Sequence, residues 1–350
     1  MKILRILPAM DFGGIERGVR DFSLKAAEMG HNVVIASGNG RFIGTLKEKG
    51  IKFYDVPMEK KSISTFFKSF HRLSEIIVEE NPDILHVQSR FPCWIMYHVM
   101  KNFPNRPWVT SIHSFNRFRF YSMSEGKGDL VIVVSKALKK HAIEYLKVSE
   151  EKIRVVYNGI STEFCGLKKK HKNVICIGMI ARFSLYKGHY YFLQAMKLLK
   201  DNTSINALIV GSGSASYRKK LEKWISNNRL TERIKIANID GKEALKNIDI
   251  LVVPSFEPEG FGRTVVEAQM SMTPVIGTNI GAIPELIEDG KTGFLVEPRN
   301  PHQIVEKIKY IIQHPTTTKE IVQTAYKNAL DNFTVEMMVQ KTLQVYQEIL

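Results

Sequence analysis

The chain has 350 residues, 44% hydrophobic and 24% charged, which suits two globular domains and excludes a low-complexity or disordered protein. No stretch approaches the run of about 20 apolar residues that a membrane-spanning helix needs. The formal net charge of +15 calls for an anionic partner, but the basic residues are spread through both halves, so a generally solvated basic surface explains them equally well.

Met1–Pro8 carries a short apolar run without a small-residue cleavage site and reads as a first strand, not a secretion signal. Further strands are expected at Val33–Ala36, Lys52–Val56, Ile84–Val87, Val109–Ile112, Leu130–Val134 and Arg154–Tyr157. Helical segments such as Ile15–Met29, Ser64–Glu80 and Ala137–Leu146 lie between them. Apolar runs without strict alternation suit strands buried on both faces, and strand–helix alternation implies parallel βαβ crossovers. The pattern breaks once, over Ser161–Lys172 with its Lys168-Lys169-Lys170 run, which reads as a linker. Alternation resumes with Val174–Ile180, Ala207–Val210, Ile234–Ala237, Ile250–Val253 and Pro274–Gly277. The expected organisation is two doubly wound, Rossmann-like α/β domains, residues 1–165 and 166–333, facing each other across a cleft. A last amphipathic helix, 334–350, is free in sequence terms to pack on either domain. Cys93, Cys165 and Cys176 have no metal-ligand spacing and suit a reducing, cytoplasmic location.

Candidate site residues cluster after strands, where open α/β sheets bind ligands. Gly13-Gly14 follows the first strand and opens a helix; it is either a plain tight turn or a place where backbone amides meet a phosphate. It does not complete a dinucleotide fingerprint. His113 ends another strand, a position that more often serves structure than ligands. Ser114–Tyr121 then alternates aromatic and basic residues, suited either to packing or to a lipid-linked or anionic acceptor at an acidic membrane surface. The basic helix Lys136–His141 adds to that surface. Arg182 and Lys187, after the first strand of the second half, are two loop cations. The most informative segment is Pro254–Ala268. Gly260 and Gly262 permit close approach to the backbone, and the helix that follows directs its first amides outward, toward an anion such as a diphosphate. Glu259 and Glu267 would lie roughly 12 Å apart along a helix axis. By spacing alone they are either a pair of hydroxyl-binding carboxylates or a dipole-complementing residue and a surface glutamate.

Glu259 and Glu267, with Gly-Phe-Gly after the first and Ala after the second, resemble the Glu-x7-Glu motif of the family 4 glycosyltransferases. Ala181-Arg182-Phe183 with Lys187-Gly188, Asp11–Glu16, Tyr157–Ile160, Gly211–Gly213 and Gly281–Glu285 resemble further loops of that family, over nearly the full chain. The resemblance implies the GT-B fold and a retaining transfer from a nucleotide-sugar donor, expected to be a UDP-sugar. It implies that Glu259 binds hydroxyls of the donor sugar and Glu267 the ribose. Arg182 and Lys187 would grip the diphosphate, with Gly260, Phe261, Gly262, Thr264 and Val265 lining it and Gly13 and Gly14 adding amides. His113 would reach the sugar, although Ser114 departs from the family pattern at the next position. The implied acceptor is a glycan or glycolipid of the lipopolysaccharide or surface-polysaccharide kind, reached from the inner face of the membrane. No Asp-x-Asp occurs, so no metal or other cofactor is expected, and the two cations with the helix end would neutralise the leaving group. A nucleic-acid-binding protein would concentrate its basic residues on one face. An epimerase would need a fuller set of acid–base groups than Glu259 and His113. A dehydrogenase lacks its fingerprint.

Overall fold

The computed structural model of the chain describes residues 1–11, 13–116, 119–167 and 174–350. Phe12, Arg117, Phe118 and the Lys168–Lys170 run read as a linker lie outside the described residues. The chain forms two compact units, Met1–Gly159 with Thr334–Leu350, and Ile160–Phe333. The first unit thus takes in residues 1–159 together with the last helix.

In the first unit, β1 (Lys2–Ala9), β2 (Asn32–Gly38), β3 (Lys52–Asp55), β4 (Ile84–Gln88), β5 (Trp108–Ile112), β6 (Leu130–Val133) and β7 (Ile153–Val155) form one parallel sheet, ordered β3-β2-β1-β4-β5-β6-β7. The crossovers carry α1 (Gly14–Glu28), α2 (Ile43–Glu48), α3 (Ile63–Glu80), α4 (Arg90–Val99), α5 (Arg119–Ser122) and α6 (Lys136–Glu144). Successive side chains point to opposite faces, so Ile3, Val33 and Ile35 enter one core and Leu4, Ile6 and Val34 the other. Two buried faces are the reason the strand sequences are continuously apolar.

The second unit repeats the plan with β8 (Ile175–Ile180), β9 (Ile205–Val210), β10 (Ile234–Ala237), β11 (Ile250–Val253), β12 (Val275–Thr278) and β13 (Phe294–Val296), ordered β10-β9-β8-β11-β12-β13. Its helices are α7 (His189–Leu198), α8 (Ala215–Asn227), α9 (Gly241–Leu245), α10 (Arg263–Met270), α11 (Ile283–Leu286), α12 (Pro301–Gln313) and α13 (Pro315–Asn332). In each sheet the strand order reverses once, between β1 and β4 and between β8 and β11. Those reversals open a crevice at the strands' carboxyl ends.

The last helix, α14 (Val335–Gln347), belongs to the first unit. Val335, Met338, Val339, Leu343 and Tyr346 join the core that holds Ile3 and Phe22, and the Phe22 and Tyr346 rings meet edge-on at 6.2 Å. Gly159 is required where the chain passes the start of this helix, because a Cβ there would lie 2.6 Å from the Val335 Cα. Among the described residues no helix is long and apolar enough to cross a membrane.

Candidate functional site

At the β8/β11 reversal, four loops are tied together by their own backbones. After β8, Phe183 donates its N–H to the Ser212 carbonyl (2.8 Å) in the loop after β9. The Phe256 N–H, after β11, bonds the Tyr186 carbonyl (3.0 Å), and Ala282, after β12, donates to the Glu259 carbonyl (3.0 Å). Gly188 sits where these loops close: at φ 79° its position would set a Cβ 1.8 Å from the Pro254 carbonyl oxygen, so only glycine fits.

This frame brings Lys187 and Glu259 together, Nζ to Oε2 at 2.8 Å, with both side chains largely buried. The Ser255 hydroxyl donates to the other Glu259 oxygen, and Ser255 is held in turn by Thr278, whose hydroxyl bonds its carbonyl at 2.6 Å. Burial alone would raise the Glu259 carboxyl, but Lys187 and the serine hydroxyl outweigh it and hold it below the ordinary carboxylate range. A preformed cation and an ionised carboxylate therefore sit at the sheet's carboxyl edge. Arg182, on the same loop as Lys187, is exposed.

Glu259 and Glu267 do not share a helix. Residues 254–262 are irregular and α10 begins at Arg263, so the 12 Å axial spacing does not apply. Glu267 is not a surface residue either: only 3% of it is exposed, with Arg263 one turn back at 3.8 Å. Gly260 and Thr264 are half-buried. Phe261 and Val265 turn their side chains into the interior, Phe261 against Phe333 at 5.9 Å. The Val265 N–H is donated to the Gly262 carbonyl at 3.0 Å, at the start of α10.

In the first unit, Gly13 caps α1 in an extended conformation, with Gly14 as the first helical residue. His113 follows β5 and Gln88 ends β4, their Nε2 atoms 3.3 Å apart. Burial first, and then the nearby Arg5 guanidinium, push the His113 imidazole down to about 3. A neutral imidazole of this kind donates or accepts a hydrogen bond but is a poor proton donor at neutral pH. His113 also lines a small cavity of about 30 Å³, with Arg5, His86, Gln88, Ser111 and Asn158. Ser89 next to Gln88 has φ 73° and ψ 150°, a region almost reserved for glycine, and it lies at the β1/β4 reversal. Sequence reading missed Gln88, Ser89 and Ser255. Their signal was position alone, since each sits at or just past the carboxyl end of a strand flanking a reversal.

A larger cavity, about 310 Å³, runs beside the amino-terminal halves of β8–β10 past Cys176, Asn206, Leu208 and Lys235. It includes none of the expected site residues. Its Arg233 is occupied by the Lys200, Asn202 and Ile205 carbonyls.

Comparison with known proteins places this geometry in a class. Residues 12–164 match the model of Glycosyltransferase Family 4, and residues 164–328 that of Glycosyl transferases group 1. An uncharacterised glycosyltransferase of Methanocaldococcus jannaschii is 27% identical over 86% of both chains. A glycosyltransferase from Rickettsia africae, known as a crystal structure, superposes with a TM-score of 0.88 at 29% identity over 99% of this chain and 98% of that one. The Anabaena protein Alr3699/HepE, solved with UDP-glucose, has a TM-score of 0.87 at 21% identity, covering 99% and 100%. Two parallel sheets with this strand order make the protein an α/β enzyme of the GT-B architecture. The chain belongs to the group 1 glycosyltransferases of family 4 and is a glycosyltransferase.

Proposed function

We propose that the protein is a retaining hexosyltransferase that takes a sugar from a UDP-sugar and places it on a glycan or glycolipid of a bacterial surface polysaccharide. The acceptor is presented at an acidic membrane, on its inner, reducing side. The observation that carries the donor half of this reading is the Lys187–Glu259 pair at the β8/β11 reversal. The UDP-glucose bound by the Anabaena protein of the same fold supports the choice of nucleotide.

A diphosphate draws Lys187 and Arg182, and neutral sugar hydroxyls take up the Glu259 oxygens that Lys187 releases. Glu267 takes the ribose. The first amides of α10, beside Gly260 and Gly262, complete the anion site. From the first unit, His113 serves as a neutral hydrogen-bonding partner of the sugar, and Gly13 and Gly14 supply amides. The bond from the anomeric carbon to the phosphate oxygen breaks as the acceptor oxygen bonds to the same face, through an oxocarbenium-like transition state. The acceptor proton passes to the leaving diphosphate. Cations fixed beside that diphosphate act where charge develops, so the transfer is proposed to proceed without a metal.

The test is thermal melting against nucleoside diphosphates and their sugar conjugates, with Lys187→Ala and Glu267→Ala alongside. A ligand at 100 times its Kd adds about 2.7 kcal/mol to the native state. Stabilisation by UDP and a UDP-sugar, lost in both variants, is expected. No shift with any diphosphate, together with stabilisation by nucleic acid, would overturn the reading.

A further inference from the structure

On the first unit, α3 and α4 pack side by side and leave a continuous run of apolar side chains in solvent. Phe66 ties the run together, its ring 4.6 Å from Trp94 and 5.5 Å from both Phe67 and His98. Tyr121, 6.5 Å from Trp94, sets α5 beside them, and Phe120 precedes it in that short helix. Exposure reaches 78% at Ile63, 57% at Phe67 and 89% at Phe120, with Trp94 and Tyr97 also in solvent. Ile63 and Phe67 are one turn apart on α3, whose start is fixed by the Ser62 hydroxyl accepting the Thr65 N–H at 3.1 Å. Single exposed apolar residues need no explanation, but a contiguous patch of this kind marks an interaction surface.

Cations ring the patch, each seated on one of its aromatics. Lys101 and Lys127 lie 5.4 and 5.8 Å from the Tyr97 ring, and Lys61 and Arg90 lie 5.7 and 5.6 Å from that of Tyr121. No acidic residue occurs between Asp83 and Glu125, or from Lys60 to Ser74, and Glu125 itself is buried. Within those two stretches the charge is thus of one sign, and the exposed carboxylates Glu59 and Asp129 stand just outside them. Bulky apolar groups set among lysines, on the outer surface of two adjacent helices, match a headgroup–acyl boundary rimmed by phosphate. Ile63 offers no flat face to a sugar ring, and the cavities described above lie elsewhere.

The geometry points to this face as the docking surface for an anionic membrane, which rests on the membrane-presented acceptor proposed above. Ile63, Phe67 and Phe120 enter the boundary region, and Lys61, Lys101 and Lys127 meet lipid phosphates. The surface lies on α3–α5; it takes in Phe120 and Tyr121 of the Ser114–Tyr121 segment that the sequence singles out, but not the Lys136–His141 helix.

Co-sedimentation with phosphatidylcholine vesicles, and with vesicles that also contain phosphatidylglycerol, tests this assignment. The protein is expected to sediment with the anionic vesicles only, and less so at high salt. Each lysine contributes about fivefold, so Lys61→Gln/Lys101→Gln/Lys127→Gln weakens binding about a hundredfold. Ile63→Ser/Phe67→Ser/Phe120→Ser is expected to release the protein as well. All six residues are exposed, so both variants keep the melting temperature and the UDP-induced shift of the parent. Failure of the parent protein to sediment, or sedimentation unchanged in both variants, overturns the assignment. So does retention on a soluble anionic glycan such as heparin, lost in the same variants, without vesicle binding; the face is then a glycan site. Either failure with the UDP shift intact leaves the glycosyltransferase reading standing.

Discussion

Glu125 turns the interior of the first unit into a pH-dependent element. It lies in the turn Met123–Gly126, only 4% exposed, and its side chain accepts the Asn116 amide. Burial raises its carboxyl from 4.5 to about 8, against the opposing pull of Arg90 and Asn116. Between those values the folded chain holds a proton that the unfolded chain releases. Stability therefore falls as pH rises through the window. The buried histidines act in the opposite sense: His86 is held well below its usual value, His113 near 3 and His189 near 4. Their contribution is still growing at about pH 6.5, where an unfolded histidine is half protonated, and adds up to about 0.4 kcal/mol each by pH 8. Over the same interval Glu125, at about 1.4 kcal/mol per unit, removes about 2 kcal/mol, so its effect is read as the difference from a variant without the carboxyl. Urea unfolding in a Trp224→Phe background reads this unit through Trp94 and Trp108, the remaining tryptophans, and avoids treating two units as one transition. Relative to Glu125→Gln, the parent should lose that stability across the interval. Glu125→Gln, whose carbonyl still accepts from Asn116, keeps the histidine contribution and should rise. A glutamine variant with the same slope as the parent refutes the reasoning.

Two further substitutions test the frame of each unit. Gly188→Ala forces a Cβ against the Pro254 carbonyl at a positive φ; it should cost about 2–4 kcal/mol in urea unfolding of the second unit and abolish the UDP-induced melting shift. Tyr346→Phe removes the hydroxyl that meets Arg5 at 3.3 Å and His86, both buried. Two stranded polar groups should cost about 1–3 kcal/mol, and a variant as stable as the parent would show that the hydroxyl contributes nothing.

The sequence by itself determined the elements that depend on local pattern. Strands such as Leu130–Val133 and Ile250–Val253 are legible because residues buried on both faces must all be apolar. Loops after strands announce themselves by glycine and charge, as at Lys187, Glu259 and Gly262, while the roles expected of them came from the family resemblance. Three-residue β13 was missed because so short a run carries no period, and Ser89 because backbone strain leaves no trace in residue type. Tertiary structure alone decided that α14 returns to the first unit, since its apolar stripe fits either domain and only the fit of Tyr346 against Phe22, Arg5 and His86 selects one. It also decided that Glu267 is buried and that Lys187 and Glu259 are partners. Their chain separation carries no distance; the strand order that sets β8 beside β11 does.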